Sequence, residues 1–237
     1  MSIDRELLSR GLERLGLPPE GPLAEGLRRY GEEIELWNPA YGLVGAAGDE
    51  FVVKHLLDSL APLGLLRDLL GRVAAGRAPS PEEAARTALL APPSLRLADL
   101  GTGAGLPGIP LALALPGVRV FLVDRMGKRT RFLENEKAVL GLGNVEVVER
   151  EVERVDGSFD LLTFRAFRPF ERKLFKAVFA LCEPDGFVAA YKGRRDKAQA
   201  ELAAIEGLYA SAEILPVEVP FLEDERCLVV LRPALRS

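Results

Sequence analysis

The chain has 237 residues, 48% of them hydrophobic and 28% charged, with a formal net charge of −4, enough apolar material for one domain with an appendage. No apolar run reaches the ~18 residues of a membrane span and Met1-Ser-Ile-Asp-Arg-Glu6 carries no signal-peptide pattern, so a cytoplasmic protein without a membrane partner is expected. Net acidity counts against a nucleic-acid partner unless positive charge is gathered locally, and Cys182 and Cys227, far apart in apolar surroundings, read as buried thiols and not as a redox pair or metal site.

Residues 1–70 read as a helical extension. Leu23, Leu27, Tyr30, Ile34 and Trp37 recur at steps of four and three, the apolar stripe of one helix. Asn38-Pro39 is expected to stop it. Phe51, Val52, Leu56 and Leu60 mark a second helix, with Asp49 as its expected N-cap. His55 and Asp58, three apart, share one face of it. A structural role for both is expected, tying the amino-terminal helices to the glycine-rich loop near residue 100. From 71 to 94 Ala, Pro and Arg dominate. This stretch reads as an insertion or linker with a short helix behind Ser80, Pro81 and Glu83.

Residues 95–237 alternate between apolar runs and helical patterns. Strands are predicted near 95–99, 118–124, 144–149, 158–163, 186–192, 212–219 and 226–232, and helices near 107–115, 126–141, 169–182 and 196–209. This is a doubly wound α/β sheet. The last two strands leave no room for a helix between them, so the seventh should run antiparallel through a hairpin-like link at Leu222–Arg226. Seven strands with that ending are expected of class I methyltransferases, a Rossmann-like fold.

The first strand runs into Asp99-Leu-Gly-Thr-Gly-Ala-Gly105. Its glycines allow positive φ and close approach of a ligand to the backbone. Gly103-x-Gly105-x-x-Gly108 also satisfies a dinucleotide fingerprint, so a nicotinamide cofactor stays open. Asp99 argues the other way. A pyrophosphate beside that carboxylate would be repelled, whereas the sulfonium and ammonium of S-adenosylmethionine would be attracted. Asp124 closes the second strand about 20 residues past the glycines, where an acid accepts ribose hydroxyls. Both cofactors use that feature.

Charge is uneven. Between Thr163 and Lys197 stand nine bases (Arg165, Arg168, Arg172, Lys173, Lys176, Lys192, Arg194, Arg195, Lys197) against four acids. Arg125, Lys128, Arg129 and Arg131 form a second cluster. Each could be a solvated face. Their place after strands two, four and five, on the ligand side of such a sheet, makes Arg125, Lys128, Arg129, Arg168, Lys192, Arg194 and Arg195 candidates for RNA contacts. Arg165, whose forked guanidinium suits a carboxylate or phosphate, is the candidate catalytic residue. Phe164, Phe167 and Phe170 around it are expected to pack, although one could stack on a base.

Several motifs together resemble one family. They are Leu36-Trp37-Asn38 with Tyr41-Gly42-Leu43, His55-Leu-Leu-Asp58-Ser59, and the loop extended by Leu106-Pro-Gly-Ile-Pro110. Asp124, Lys128-Arg129, Phe132-Leu133, Arg165-Ala166 and Lys192-Gly193 complete the set. The chain is similar here to the ribosomal small-subunit methyltransferase G family, also called glucose-inhibited division protein B, over about residues 25–70 and 95–232. Gly42, Val44, Cys182-Glu-Pro-Asp-Gly186 and Cys227 depart from the family's usual residues.

The resemblance implies methyl transfer from S-adenosylmethionine to N7 of a guanine in small-subunit (16S) ribosomal RNA, with the ribosomal particle as a possible form of the substrate. Asp99, Gly101, Thr102, Gly103, Gly105 and Leu106 would form the cofactor loop. Asp124 would hold the ribose, Val152 and Glu153 would bracket the adenine, and Arg165 would close the site near the donor. Guanine N7 carries no proton, so alignment can do most of the catalysis. The single His and the absence of an Asn-Pro-Pro-Tyr-like segment or a Pro-Cys nucleophile fit that chemistry. Other methyl acceptors, or a non-catalytic RNA-binding role, are the competing expectations.

Overall fold

The computed structural model describes residues 3–77 and 95–234. The element expected behind Ser80 lies outside them. Four helical runs come first: α1 (Arg5–Arg14), α2 (Pro22–Tyr41), α3 and α4 (Leu63–Gly76). α3 joins Gly48–Phe51, a wider π-type stretch Val52–Leu57, and Asp58–Leu60. The described residues then form β1 (Arg96–Leu100), α5 (Gly108–Ala114), β2 (Arg119–Asp124), α6 (Gly127–Val139), β3 (Val145–Glu149), β4 (Phe159–Arg165), α7 (Arg172–Ala180), β5 (Cys182–Lys192), α8 (Arg195–Ala204), β6 (Tyr209–Pro216) and β7 (Cys227–Pro233).

Several local expectations change. Asn38-Pro39 does not stop α2. Proline near the carboxyl end disturbs few helical bonds, and the stop comes at Gly42, in the left-handed region with φ 60°. Asn38 instead organises the chain beyond: its Oδ1 accepts from the Leu43 and Val44 amides at 2.7 and 3.0 Å, and its Nδ2 donates to the Val44 carbonyl at 2.8 Å. Asp49 is not the N-cap of α3. Ala47 holds that position and Asp49 lies in the first turn, where its charge still favours the helix amino end. α4 runs on to Gly76, six residues into the stretch read as linker. Farther on, Gly207 turns the chain at φ 80°, so α8 ends earlier and β6 begins earlier than predicted.

The strands lie in the order β3-β2-β1-β4-β5-β7-β6. All neighbours are parallel except β7, which pairs antiparallel with both β5 and β6. Chain order reverses between β1 and β4, which opens a crevice at the carboxyl ends of the strands. The four amino-terminal helical runs share one apolar core with α5, α6 and one face of the sheet. α7 and α8 cover the other face. Near the amino ends of the central strands β4 and β5, Arg77 ties the end of α4 to the sheet, pairing with Asp160 and bidentately with Asp185 at 2.8 and 2.7 Å. Cys182 and Cys227 are buried free thiols. Burial pushes the Cys182 thiol up to about 12. Among the described residues no helix is long and apolar enough to cross a membrane.

Candidate active site

The β1–α5 loop is folded back onto the sheet by its own backbone. The Gly101 and Thr102 amides donate to the Val123 carbonyl at 2.8 and 3.0 Å. Gly101 has φ 67°, and a Cβ there would stand 2.2 Å from the Phe167 ring, so the position excludes side chains twice over. Asp99 is fully buried. Its Oδ2 accepts from Thr102 Oγ1 at 2.6 Å and from the Gly108 amide at 2.8 Å, lacing the loop to the start of α5. Its Oδ1 is buried without a partner. Burial pushes the carboxyl up to about 6, against the pull of those hydrogen bonds. The acid expected beside a cationic ligand is thus buried, and through Oδ2 it braces the loop. Thr102, Gly105 and Leu106 are buried with it. Helix α2 reaches the same loop, where the buried Tyr30 hydroxyl donates to the Ala104 carbonyl at 2.6 Å.

Asp124 ends β2, with its side chain 3% exposed. Its Oδ2 accepts from the Gly103 amide at 3.0 Å and from Arg129 at 3.3 Å, and its Oδ1 from the Met126 amide at 2.9 Å. It borders a cavity of about 530 Å³ together with Gly101, Val152, Glu153, Ala166 and Phe167. Val152 is an apolar wall. Glu153, beside it, pairs with Arg168 at 2.6 Å across the mouth, and that guanidinium holds the Glu153 carboxyl below the usual range.

A second cavity, of about 380 Å³, lies beyond Ala166, which borders both. Ala166 has φ 49°, so the backbone turns sharply there, and Arg165 points into the second space. Arg165 Nη1 donates to Asp58 Oδ2 at 2.7 Å and to the Lys54 carbonyl at 3.2 Å, and Nη2 meets His55 Nδ1 at 3.0 Å. Asp58 Oδ1 accepts from Arg226 Nε at 3.0 Å. One buried acid therefore holds two arginines from opposite sides. Burial, aided by Arg165, lowers His55 to about 4, so it is neutral and accepts from Arg165 through Nδ1. The π-type stretch of α3 delivers Lys54 and His55 to this contact, and Asp58 comes directly after it. Ser59 adds a further tie, its carbonyl accepting from the buried Tyr191 hydroxyl at 2.9 Å. The shared face expected of His55 and Asp58 exists, but it ties the amino-terminal helices to the end of β4 and not to the glycine-rich loop as expected; the tie to that loop is made by Tyr30.

A family model described as rRNA small subunit methyltransferase G matches residues 85–229. The ribosomal RNA small subunit methyltransferase G of Treponema denticola is 35% identical, covering 95% of this chain and 93% of its own length. That of Nitrosococcus oceani is 35% identical, covering 98% and 96%.

The chain belongs to the small-subunit methyltransferase G family.

The magnesium protoporphyrin IX methyltransferase of Synechocystis, solved with bound S-adenosylmethionine, shares the fold. Its TM-score is 0.52 at 16% identity, covering 86% of this chain and 97% of that one.

In this member of the family the sequence-derived residues separate into groups. Gly101, Asp124, Val152 and Glu153 border the first cavity. Asp99, Thr102, Gly105 and Leu106 are too buried to do so, because the loop turns its side chains inward, and Gly103 serves Asp124 through its amide. Arg165 borders the second cavity and not the first, since the turn at Ala166 separates them. Many of the candidate RNA contacts have protein partners. Lys192 pairs with Glu201 at 2.6 Å and lies over Phe170. Arg194 pairs with Asp196, Arg195 donates to the Ile214 carbonyl at 2.9 Å, and Lys128 donates to the Ala40 carbonyl at 2.7 Å. Arg125 is exposed on the rim of the first cavity beside Arg129, and Lys173 stands on the same rim. Phe164 and Phe170 are core residues, whereas Phe167 is half-buried over Gly101. Arg226 escapes sequence reading because nothing in the Leu222–Arg226 link distinguishes it from a surface charge.

Proposed function

We propose that this chain methylates N7 of a guanine in small-subunit ribosomal RNA, using S-adenosylmethionine, with the ribosomal particle presenting the base. The observation that carries the reading is the pair of cavities meeting at Ala166. One is built like a nucleoside site and the other like a site for an acceptor-rich base. Family membership supports the same substrate and donor.

The first cavity fits the donor. Its volume is within the range of small-molecule sites, and Gly101, with no side chain of its own, leaves room there for the Phe167 ring. Asp124, already oriented by two amides, would take the ribose hydroxyls. Val152 would meet the adenine with Glu153 at its edge. Asp99, through its unpartnered Oδ1, adds negative potential behind the loop, suited to a cationic ligand. When bound, S-adenosylmethionine supplies a methyl group on a sulfonium centre.

The second cavity would receive the base. Guanine N7 has an in-plane lone pair and no proton to lose, so the chain needs no general base. His55 is held neutral and engaged by Arg165, which suits positioning. The work of the residues is alignment and exclusion of water. Extruding a base from folded RNA costs a few kcal/mol, order of magnitude. The chain carries a net charge of −4, and Arg168, Lys192 and Arg194 are paired with acids of the protein itself, which weakens its pull on bare RNA. Docking on an assembled particle compensates.

The test is labelled methyl transfer to small subunits that lack the modification, followed by mapping of the modified base. Label on a guanine, lost when that guanine carries 7-deaza substitution, is the expected result. Label on another atom or another macromolecule overturns the reading.

A further inference from the structure

Arg165 and Arg226 are not equivalent in the second cavity. Arg165 commits Nη1 to two acceptors and Nη2 to His55. Arg226 is held by its Nε on Asp58 at 3.0 Å and by Nη1 on the Glu225 carbonyl at 3.0 Å. Its Nη2 has only the exposed Asp224 at 3.9 Å, beyond hydrogen-bond reach. Arg226 is thus oriented at its stem and available at its tip. Among the side chains that line the cavity the acceptors are engaged: both Asp58 oxygens carry guanidinium groups and His55 Nδ1 faces Arg165, while Asp224, the acid nearest the tip, is not part of that lining. The donors Lys54, Tyr191 and Lys192 that also line the cavity are engaged by Glu50, the Ser59 carbonyl and Glu201.

We propose that Arg226 is a specificity-determining residue that donates from Nη2 to O6 of the target guanine, and that Asp58 is the positioning residue that aims it. This rests on the proposal that the second cavity takes the target base. Guanine carries two acceptors on its Hoogsteen edge, N7 and O6, whereas adenine carries a donor at position 6. N7 must stay free to accept the methyl group, which leaves O6 as the atom by which the purine can be read on that edge. A donor at O6 is satisfied by guanine and repelled by the amino group of adenine. Because Asp58 also holds Arg165, the side chain that reads the base and the turn at Ala166 beside the first cavity share one fixed point.

The experiment uses ribosomal small subunits reconstituted with guanine or 2-aminopurine at the modified position. 2-Aminopurine keeps N7 and the 2-amino group but lacks O6. The wild-type protein should prefer guanine by about ten- to a hundredfold in kcat/KM. Arg226→Ala should lower transfer to guanine and reduce that preference to less than about threefold, with S-adenosylmethionine affinity by calorimetry unchanged. Asp58→Asn should lower kcat on guanine and shrink the preference in the same direction; a purely structural Asp58 would slow both substrates equally. Retention of the wild-type preference by Arg226→Ala overturns the inference while leaving the function standing. Failure of the wild-type protein to methylate any guanine in the particle overturns both.

Discussion

Arg165 Nη1 and Asp58 Oδ2 lie 2.7 Å apart, with side chains 14% and 7% exposed, and this ion pair joins the amino-terminal helices to the end of β4. Removing one partner of a buried pair strands the other. Arg165→Ala should therefore cost about 3–5 kcal/mol of stability as well as methyl transfer. Affinity for S-adenosylmethionine should survive, because Arg165 borders the other cavity. Thermal melts with calorimetric titration of the donor check this. A variant that melts like wild type would remove the pair from the stabilising contacts.

Asp124 satisfies two loop amides and Arg129 at once. Asp124→Ala should leave both amides without their acceptor, at about 1–3 kcal/mol, and weaken donor binding by at least about tenfold. Asp124→Asn keeps an acceptor oxygen and should lose less. Titration calorimetry on the two variants distinguishes an electrostatic role from a loop-shaping one.

Gly101→Ala places a methyl group in a left-handed residue and against Phe167. A left-handed alanine costs of order 1–3 kcal/mol. Pairing it with Phe167→Ala should relieve the steric part and leave the backbone part. A double-mutant cycle on melting temperature and donor affinity separates the two.

Glu136 on α6 is fully buried, with Oε2 unpartnered, and burial raises its carboxyl from 4.5 to about 8. The folded state therefore holds a proton that the unfolded chain releases. Stability from this group is fully present below about pH 4.5 and is lost as the pH rises to about 8, with a slope on the order of 1.4 kcal/mol per pH unit. Glu136→Gln should leave stability near pH 4.5 unchanged and raise it at pH 8. Denaturant melts across that window read the difference directly.

Charge reversal should separate free from paired cations among the proposed RNA contacts. Arg125→Glu on the exposed rim should weaken particle binding and shorten the salt slope by about 0.9 per lost phosphate contact. Arg194→Glu also breaks a pair with Asp196, so its binding loss should be the smaller. Binding measured across a salt series decides the order.

Local sequence determined the alternation of strands and helices, the antiparallel last strand, the glycine loop and Asp124 at the end of β2. These arise from periodicity, backbone freedom at glycine and the fixed geometry of a strand–turn–helix unit, all written within a few residues. What only the tertiary structure decided is who meets whom. Asp99 reads in sequence as an acid beside a cationic ligand, but the closing of the loop buries it and commits its Oδ2 to Thr102 and Gly108, leaving Oδ1 without a partner. Lys192 and Arg194 look like free positive charge, but folding supplies Glu201 and Asp196. Arg226 looks like an ordinary loop residue until folding brings it to Asp58, 168 positions away in sequence. Partners so distant leave no short-range pattern, because burial and pairing are properties of the packed whole. The loop at the end of β1 was legible in the sequence; the separation of the two cavities that meet at Ala166 was made by the fold.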